Sequence, residues 1–146
     1  VGELTEQWIK ETIAVRLARQ KRLEAGELMV HALVDEAVFC RPTGSTEIMR
    51  EQIERLLVDA ARPNVTLQVI PFVKGPHPGL DGSFQHLRFP EKRIEDMIFV
   101  EGLLGNFLLD KAALVDHYRT VFEDLSQRFA SDPDATVSWL KKLLGT

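Results

Sequence analysis

Apolar residues recur at helical spacing in four segments of the chain. Residues 5–24 carry the stripe Trp8, Ile9, Ile13, Leu17 and Leu23. A second stripe follows Ser45, a good N-cap, and stops before Pro63. A third stripe begins after Asp110, which is predicted to cap the helix, and ends at Phe129. A fourth begins after Asp132, a predicted N-cap, and Pro133, which suits the first helical position. The pattern therefore predicts four helices.

Two stretches between these helices read as strands. Residues 28–34 alternate, with Leu28, Val30, Ala32 and Val34 on one face. Residues 64–72 are apolar at nearly every position, as expected when both faces of a strand are covered. A strand, a helix and a strand joined by short connections predict a right-handed parallel crossover unit.

The second half of the chain adds three short strands, "SFQHLRF", "DMIFVEG" and "NFLLD". Turns are predicted at residues 90–92 and 102–105. The predicted fold is a single α/β domain over residues 1–146, with a central mixed sheet that includes the parallel β-α-β crossover and has flanking helices.

Composition and charge narrow the class of protein. The 146 residues are 45% hydrophobic and 27% charged, which is typical of a globular, cytoplasmic domain. A net charge of −4 argues against nucleic-acid binding by this chain alone. No apolar window long enough for a membrane span and no signal peptide are visible. The only cysteine, Cys40, follows an apolar run and is expected to be buried. Because the chain does not begin with Met, we expect it to be part of a longer protein.

The loop at residues 75–82, rich in Pro and Gly, is the candidate site. It follows the carboxyl end of a presumed central strand, where open α/β sheets commonly bind ligands. Glu36 and Glu101, at the ends of two other strands, are expected to converge near it. The alternatives are a rigid surface turn, and carboxylates that only bind backbone amides or arginines. The candidate ligand-binding residues are Glu36, Gln68, His77, Gly82, Phe84, His86 and Glu101.

Motifs for metal, cofactor or catalytic chemistry are not found. No Cys or third His stands at ligand spacing beside His77 and His86, so no metal site is predicted. The chain has no Gly-x-Ser-x-Gly elbow, phosphate loop or dinucleotide fingerprint. We therefore expect neither a cofactor nor an enzyme.

A series of segments resembles a known family. These are "RLARQKRL", "LVDEAVFCRPTGSTEIMREQIERLL", "ARPNVTLQVIPF", "HPGLDGSFQHLRF", "IFVEG", "FLLD" and "VDHYRTVFEDL", in that order. Together they resemble the C-terminal domain, of unknown function, of actinobacterial Xre-type helix-turn-helix regulators of the WhiJ-like group. The resemblance covers nearly the whole chain.

This resemblance implies a sensing or interaction domain. A DNA-binding helix-turn-helix is expected upstream, so DNA would be contacted only through that domain. The expected partners are a small-molecule effector or a small partner protein, with a homodimer as a further option. No membrane contact is expected.

Two alternatives remain open. The order of elements is similar to half of a phospholipase D-type fold, whose motif is His-x-Lys-x-x-x-x-Asp. Around His86 the chain has Arg88 and Arg93 where the Lys and Asp would stand. A degenerate hydrolase with His86 as nucleophile is thus one alternative. The other is an oligomerisation scaffold that buries the first helix (Trp8, Ile13, Leu17) and the last helix (Trp139, Leu143) against another chain.

Overall fold

The first half of the fold is a parallel strand–helix–strand unit and the second half is a β-meander followed by two helices. The computed structural model describes residues 5–91, 93–102 and 104–145. In chain order the elements are α1 (Glu6–Glu24), β1 (Val30–Asp35), α2 (Ala37–Cys40), α3 (Thr46–Ala60), β2 (Val65–Ile70), β3 (Phe84–Leu87), β4 (Met97–Gly102), β5 (Gly105–Leu109), α4 (Ala112–Asp124) and α5 (Pro133–Leu144). Short 3₁₀ turns occupy Phe72–Lys74 and Pro78–Asp81, and a π-helical turn, Leu125–Phe129, extends α4.

The predicted parallel pair is confirmed. Strands β1 and β2 run parallel from Val30 opposite Val65 to Asp35 opposite Ile70, so their carboxyl ends are level. The crossover is α3, whose first turn is capped by Ser45: its Oγ accepts a hydrogen bond from the N–H of Ile48. The last four residues of β2 are all buried, as predicted for a strand that is apolar at nearly every position.

The mixed α/β class is confirmed, but the strands form two sheets rather than one central sheet. Strands β3, β4 and β5 pair antiparallel with one another in that order, apart from the parallel pair. Consecutive strands joined by short connections satisfy their hydrogen bonds locally, so they do not need to join β1 and β2. Helix α4 bridges the two sheets, because the Phe122 ring contacts both His31 on β1 and Phe84 on β3.

The hydrophobic core lies between α3, α5 and the parallel pair. Ile53, Leu67 and Leu140 form its centre, and Leu140 is fully buried. Helix α5 also closes the outer edge of β2, where the buried Thr136 Oγ1 accepts a hydrogen bond from the N–H of Val69 at 3.1 Å. This bond satisfies an edge-strand donor that would otherwise be buried without an acceptor.

Charged side chains reinforce the end of α3. The Asp59 carboxylate accepts hydrogen bonds from Arg55 at 2.8 Å and from Arg62 at 2.9 Å. Burial raises the pKa of the Asp59 carboxyl, but these two guanidinium groups outweigh burial and hold the pKa below its ordinary value. The ionised carboxylate is therefore part of the folded state.

Helix α1 is attached to the rest of the chain mainly at its carboxyl end. The carbonyl of Leu23 accepts from Asn64, Glu24 pairs with Arg55, and Arg19 donates to Gln85 on β3. None of the described residues of the helix is buried. Of the predicted apolar stripe, Trp8, Ile9, Ile13 and Leu17 are exposed and Leu23 is half-buried.

Several local predictions were wrong. Asp110 does not cap α4, because that helix begins one residue later and Lys111 supplies its first backbone acceptor. The apolar run after β1 turns into the short helix α2, since the Asp35 carboxylate accepts from the N–H of Ala37 and ends the extended chain. Cys40, at the end of α2, is exposed rather than buried. The predicted turns at 90–92 and 102–105 include Lys92 and Leu103, which lie outside the described residues.

The described helices were also compared with the length and apolarity that a bilayer requires. None of them is long and apolar enough to cross a membrane.

Candidate functional site at the carboxyl ends of the parallel strands

Two adjacent carboxylates tie the loop after β2 to the end of β1. Asp35 Oδ2 accepts a hydrogen bond from His77 Nε2 at 3.1 Å. Glu36 Oε2 accepts from the backbone N–H of Phe72 at 2.7 Å. Because the parallel register brings Asp35 level with Ile70, these contacts hold residues 72–77 across the strand ends. Two of the predicted site residues, Glu36 and His77, are thus brought to one end of the sheet.

His77 is buried in an unusual way. Only 4% of its side chain is exposed, and its ring lies against Phe129 at 5.8 Å between centroids. Its Nδ1 has no hydrogen-bond partner among the described residues. A Cβ added to Gly79 would lie 3.1 Å from this nitrogen, so glycine is what allows the loop to fold over the ring. A ligand could reach Nδ1 only if the loop moved.

Gln68, another predicted site residue, is buried in the middle of β2. Its Oε1 accepts from His31 Nε2 at 2.6 Å and from Ser126 Oγ at 2.8 Å. Its Nε2 donates to the carbonyl of Ser131 at 3.0 Å. The amide thus links β1, β2 and the segment before α5, and its main donor and acceptor sites are occupied by the protein itself.

A concavity lies beside the carboxyl end of β2, against one face of α5. It has a volume of about 320 Å³ and is lined by Val69, Pro71, Ser131, Ala135, Thr136, Ser138, Trp139 and Lys142. Four of these residues recur at i, i+3, i+4 and i+7 along α5, so they form one stripe of that helix. The volume lies at the lower end of the range of small-molecule sites in proteins. We call this concavity the strand-end cavity.

The polar groups of the strand-end cavity are mainly donors. Lys142 is the only charged lining residue in the described chain, and it makes no ion pair there. The Ser131 hydroxyl and the Trp139 indole N–H likewise have no partner among residues 5–91, 93–102 and 104–145. Thr136 and Ser138 use their hydroxyls within the protein. The cavity therefore offers unsatisfied hydrogen-bond donors and one positive charge.

The remaining predicted site residues lie around the second sheet or at its edge. Phe84 packs on Tyr118 at 4.8 Å, and His86 Nε2 lies 2.9 Å from the Asp96 carboxylate. Glu101 is exposed on β4 opposite Asn106, so the structure places it in a different sheet from the strand that Glu36 follows. Gly82 precedes β3 with a positive φ of 151° that disfavours other residues.

Phe84 and Glu101 do share a depression on this sheet, but it is small. Its volume is about 30 Å³, close to that of a single water molecule in the liquid. An organic ligand does not fit there. No group of three His, Cys, Asp or Glu residues in the described part of the chain is arranged to hold a metal ion.

Sequence reasoning missed the α5 side of the strand-end cavity. Ser131, Ala135, Ser138 and Lys142 are small or solvent-type residues that form no recognisable motif. Their proximity to β2 results from long-range packing of α5. Asp35, the partner of His77, was also missed as a candidate site residue.

The chain was compared with known protein families, curated proteins and solved structures. The profile of the family described as "Domain of unknown function (DUF5753)" matches residues 1–142. No curated protein and no solved structure matches the chain.

Proposed function

This chain belongs to the DUF5753 family, and from that premise we propose that it is the sensing module of a DNA-binding transcriptional regulator. In this proposal the module binds a small molecule at the carboxyl ends of β1 and β2, and an Xre-type helix-turn-helix in the same protein binds DNA. The resemblance of its segments to WhiJ-like regulators and the net charge of −4 support this division of labour.

The observation that carries the proposal is the position of the strand-end cavity. It adjoins the carboxyl end of a buried parallel strand, and its donors and its positive charge have no partners in the described chain. Parallel strands leave such crevices because their connections turn away at this edge. The loop held by Glu36 and His77 starts directly after Pro71, which lines the cavity.

The contacts of β2 provide a route from the cavity to α1. Asn64, directly before β2, donates to the carbonyls of Leu23 and Leu28 on either side of the turn that follows α1. A ligand that displaces Val69 or Pro71 therefore acts on a strand whose first end is bonded to the α1 region. We propose that this strand transmits occupancy of the cavity toward the DNA-binding domain.

Filling the cavity without disturbing the core tests the proposal. Ser138→Leu places a bulky side chain at an exposed position of the cavity lining. Lys141→Leu is the control, because it places the same side chain on α5 outside the cavity. We expect Ser138→Leu in the full-length regulator to abolish or lock the response of a reporter driven by its target promoter. The Lys141→Leu protein should respond as the wild type does. A normal response in Ser138→Leu would refute the role of the cavity.

One observation favours a second candidate function, self-association through α1. Five large apolar residues of this helix are between 41% and 60% exposed: Trp8, Ile9, Ile13, Val15 and Leu17. Most of the stability of helices in proteins comes from packing of apolar residues rather than from helix propensity. Light scattering of the wild type and of Ile13→Glu tests this self-association. A wild-type dimer that becomes a monomer in Ile13→Glu supports it, and a wild-type protein that stays monomeric at high concentration refutes it.

A further inference from the structure

We infer that the strand-end cavity takes a small organic carboxylate with a flat apolar body. This inference rests on the proposed function and specifies the ligand class of the same site. Three features of the lining carry it: the sign of its charge, the excess of donors, and the apolar wall beside them.

The sign of the charge comes from Lys142. It is the only charged lining residue in a chain whose net charge is −4, and none of the described carboxylates pairs with it. Ser138 and Trp139 lie one turn before Lys142 on the same face of α5, so all three residues line the cavity together. Asp132 and Asp134 lie at the start of α5 but do not line the cavity. An anionic group is therefore the natural partner of Lys142.

The other donors of the lining favour a carboxylate over an anion that accepts a single hydrogen bond. The Ser131 hydroxyl and the Trp139 indole N–H have no acceptor among the described residues. A carboxylate has two oxygens and accepts from several donors at once.

The remaining wall selects for an apolar body. Val69, Pro71, Ala135 and the Trp139 ring provide apolar surface, and the Trp139 ring is held edge-on by Phe39 at 5.2 Å between centroids. Flat apolar groups pack favourably on an indole that is already fixed. Inorganic phosphate would satisfy the donors but would leave this surface uncovered. The combined chemistry fits an aromatic carboxylic acid.

Benzoate and its neutral isostere benzamide test this class directly. The chain has two tryptophans, and Trp8 lies on α1, so the two indole N–H signals in an NMR spectrum give one reporter at the cavity and one internal control. A Trp8→Phe protein assigns the signals. We expect benzoate to shift the Trp139 signal with saturation while the Trp8 signal stays fixed. Benzamide, which lacks the charge, should bind about two- to fivefold more weakly, the scale of one partly exposed charge pair. Phosphate, which leaves the apolar wall uncovered, should also bind more weakly than benzoate.

Charge variants on the same helix provide matched controls. Lys142→Gln should weaken benzoate binding about two- to fivefold, while Lys141→Gln, which removes the same charge outside the lining, should change it less than twofold. Equal binding of benzoate and benzamide, parallel shifts of both indoles, or phosphate binding as tightly as benzoate would overturn the inference.

The inference and the proposed function fail in different ways. Equal binding of benzamide together with a defective response of Ser138→Leu removes only the ligand class. Selective benzoate binding together with a normal response of Ser138→Leu leaves the carboxylate site in place and refutes its regulatory role.

Discussion

Replacement of Thr136 by valine is expected to destabilise the protein although the two side chains have nearly the same shape. Thr136 is fully buried, and its Oγ1 is the acceptor for the N–H of Val69, a residue only 2% exposed. Valine fills the same space but leaves this buried N–H without an acceptor. A buried donor that loses its partner costs about 1–3 kcal/mol.

Equilibrium unfolding in urea measures this cost. With a slope of about 2 kcal/mol/M for a domain of this size, a loss of about 2 kcal/mol lowers the midpoint by about 1 M. Thr136→Ser keeps the acceptor and loses one buried methyl group, worth about 0.8 kcal/mol. Ser138→Ala, on the exposed face of α5, should stay within about 0.5 kcal/mol of the wild type.

The relative stabilities of Thr136→Val and Thr136→Ser test this argument. The hydrogen-bond argument requires valine to be less stable than serine at this position. If Thr136→Val matches or exceeds the stability of Thr136→Ser, packing rather than the bond to Val69 holds α5 against the strand edge, and the argument is refuted.

Three further predictions concern the core, a turn and the pH dependence. Leu140→Ala, at a fully buried position, should lower the free energy of unfolding by about 2–5 kcal/mol in the same urea experiment. Gly44→Ala should lower the free energy of unfolding by about 1 kcal/mol or more, because φ is 76° there and the new Cβ would lie 2.9 Å from a side-chain atom. Gly26 has the same φ of 76°, but a Cβ there would meet nothing within 4 Å, so Gly26→Ala should cost less. Asp59→Asn should differ most from the wild type above about pH 4, and the difference should shrink as the pH falls through the lowered folded-state pKa of Asp59, as urea unfolding at several pH values would show.

Each of these predictions has an opposing result. An unfolding free energy of Leu140→Ala within 1 kcal/mol of the wild type would mean that the core collapses around the gap. Equal costs at Gly44 and Gly26 would show that the close contact with the Ile48 side chain is relieved without penalty. A constant difference between Asp59→Asn and the wild type from neutral pH down to pH 2 would show that its ionisation is not linked to folding.

The sequence predicted elements wherever local chemistry decides them. Ser45 capped α3 as predicted, and the mostly apolar sequence of β2 correctly indicated a strand covered on both faces. The prediction that Asp110 caps α4 was wrong by one residue, and Cys40 was expected to be buried because an apolar run precedes it. That run forms α2, because a hydrogen bond from the N–H of Ala37 to the Asp35 carboxylate ends the extended chain, and hydrophobic periodicity carries no signal for such a bond.

The positions of the candidate residues were predicted only in part. Glu36 and His77 lie together at one end of the parallel pair, as expected, because strands that run parallel end at the same edge. Phe84, His86 and Glu101 were assigned to the same place only on the assumption of one continuous sheet. The division into two sheets depends on which strands pair, and that information is long-range. The face of α5 in the cavity was missed for the same reason.

The sparse attachment of α1 has a consequence for the motions of the protein. A helix with no buried residue, held chiefly near Leu23 and Glu24, can open while the core stays folded. Its amide protons should therefore exchange with solvent far faster than those of β2. Any molecule that covers α1 would slow that exchange, so the helix is a built-in reporter for whatever docks on it.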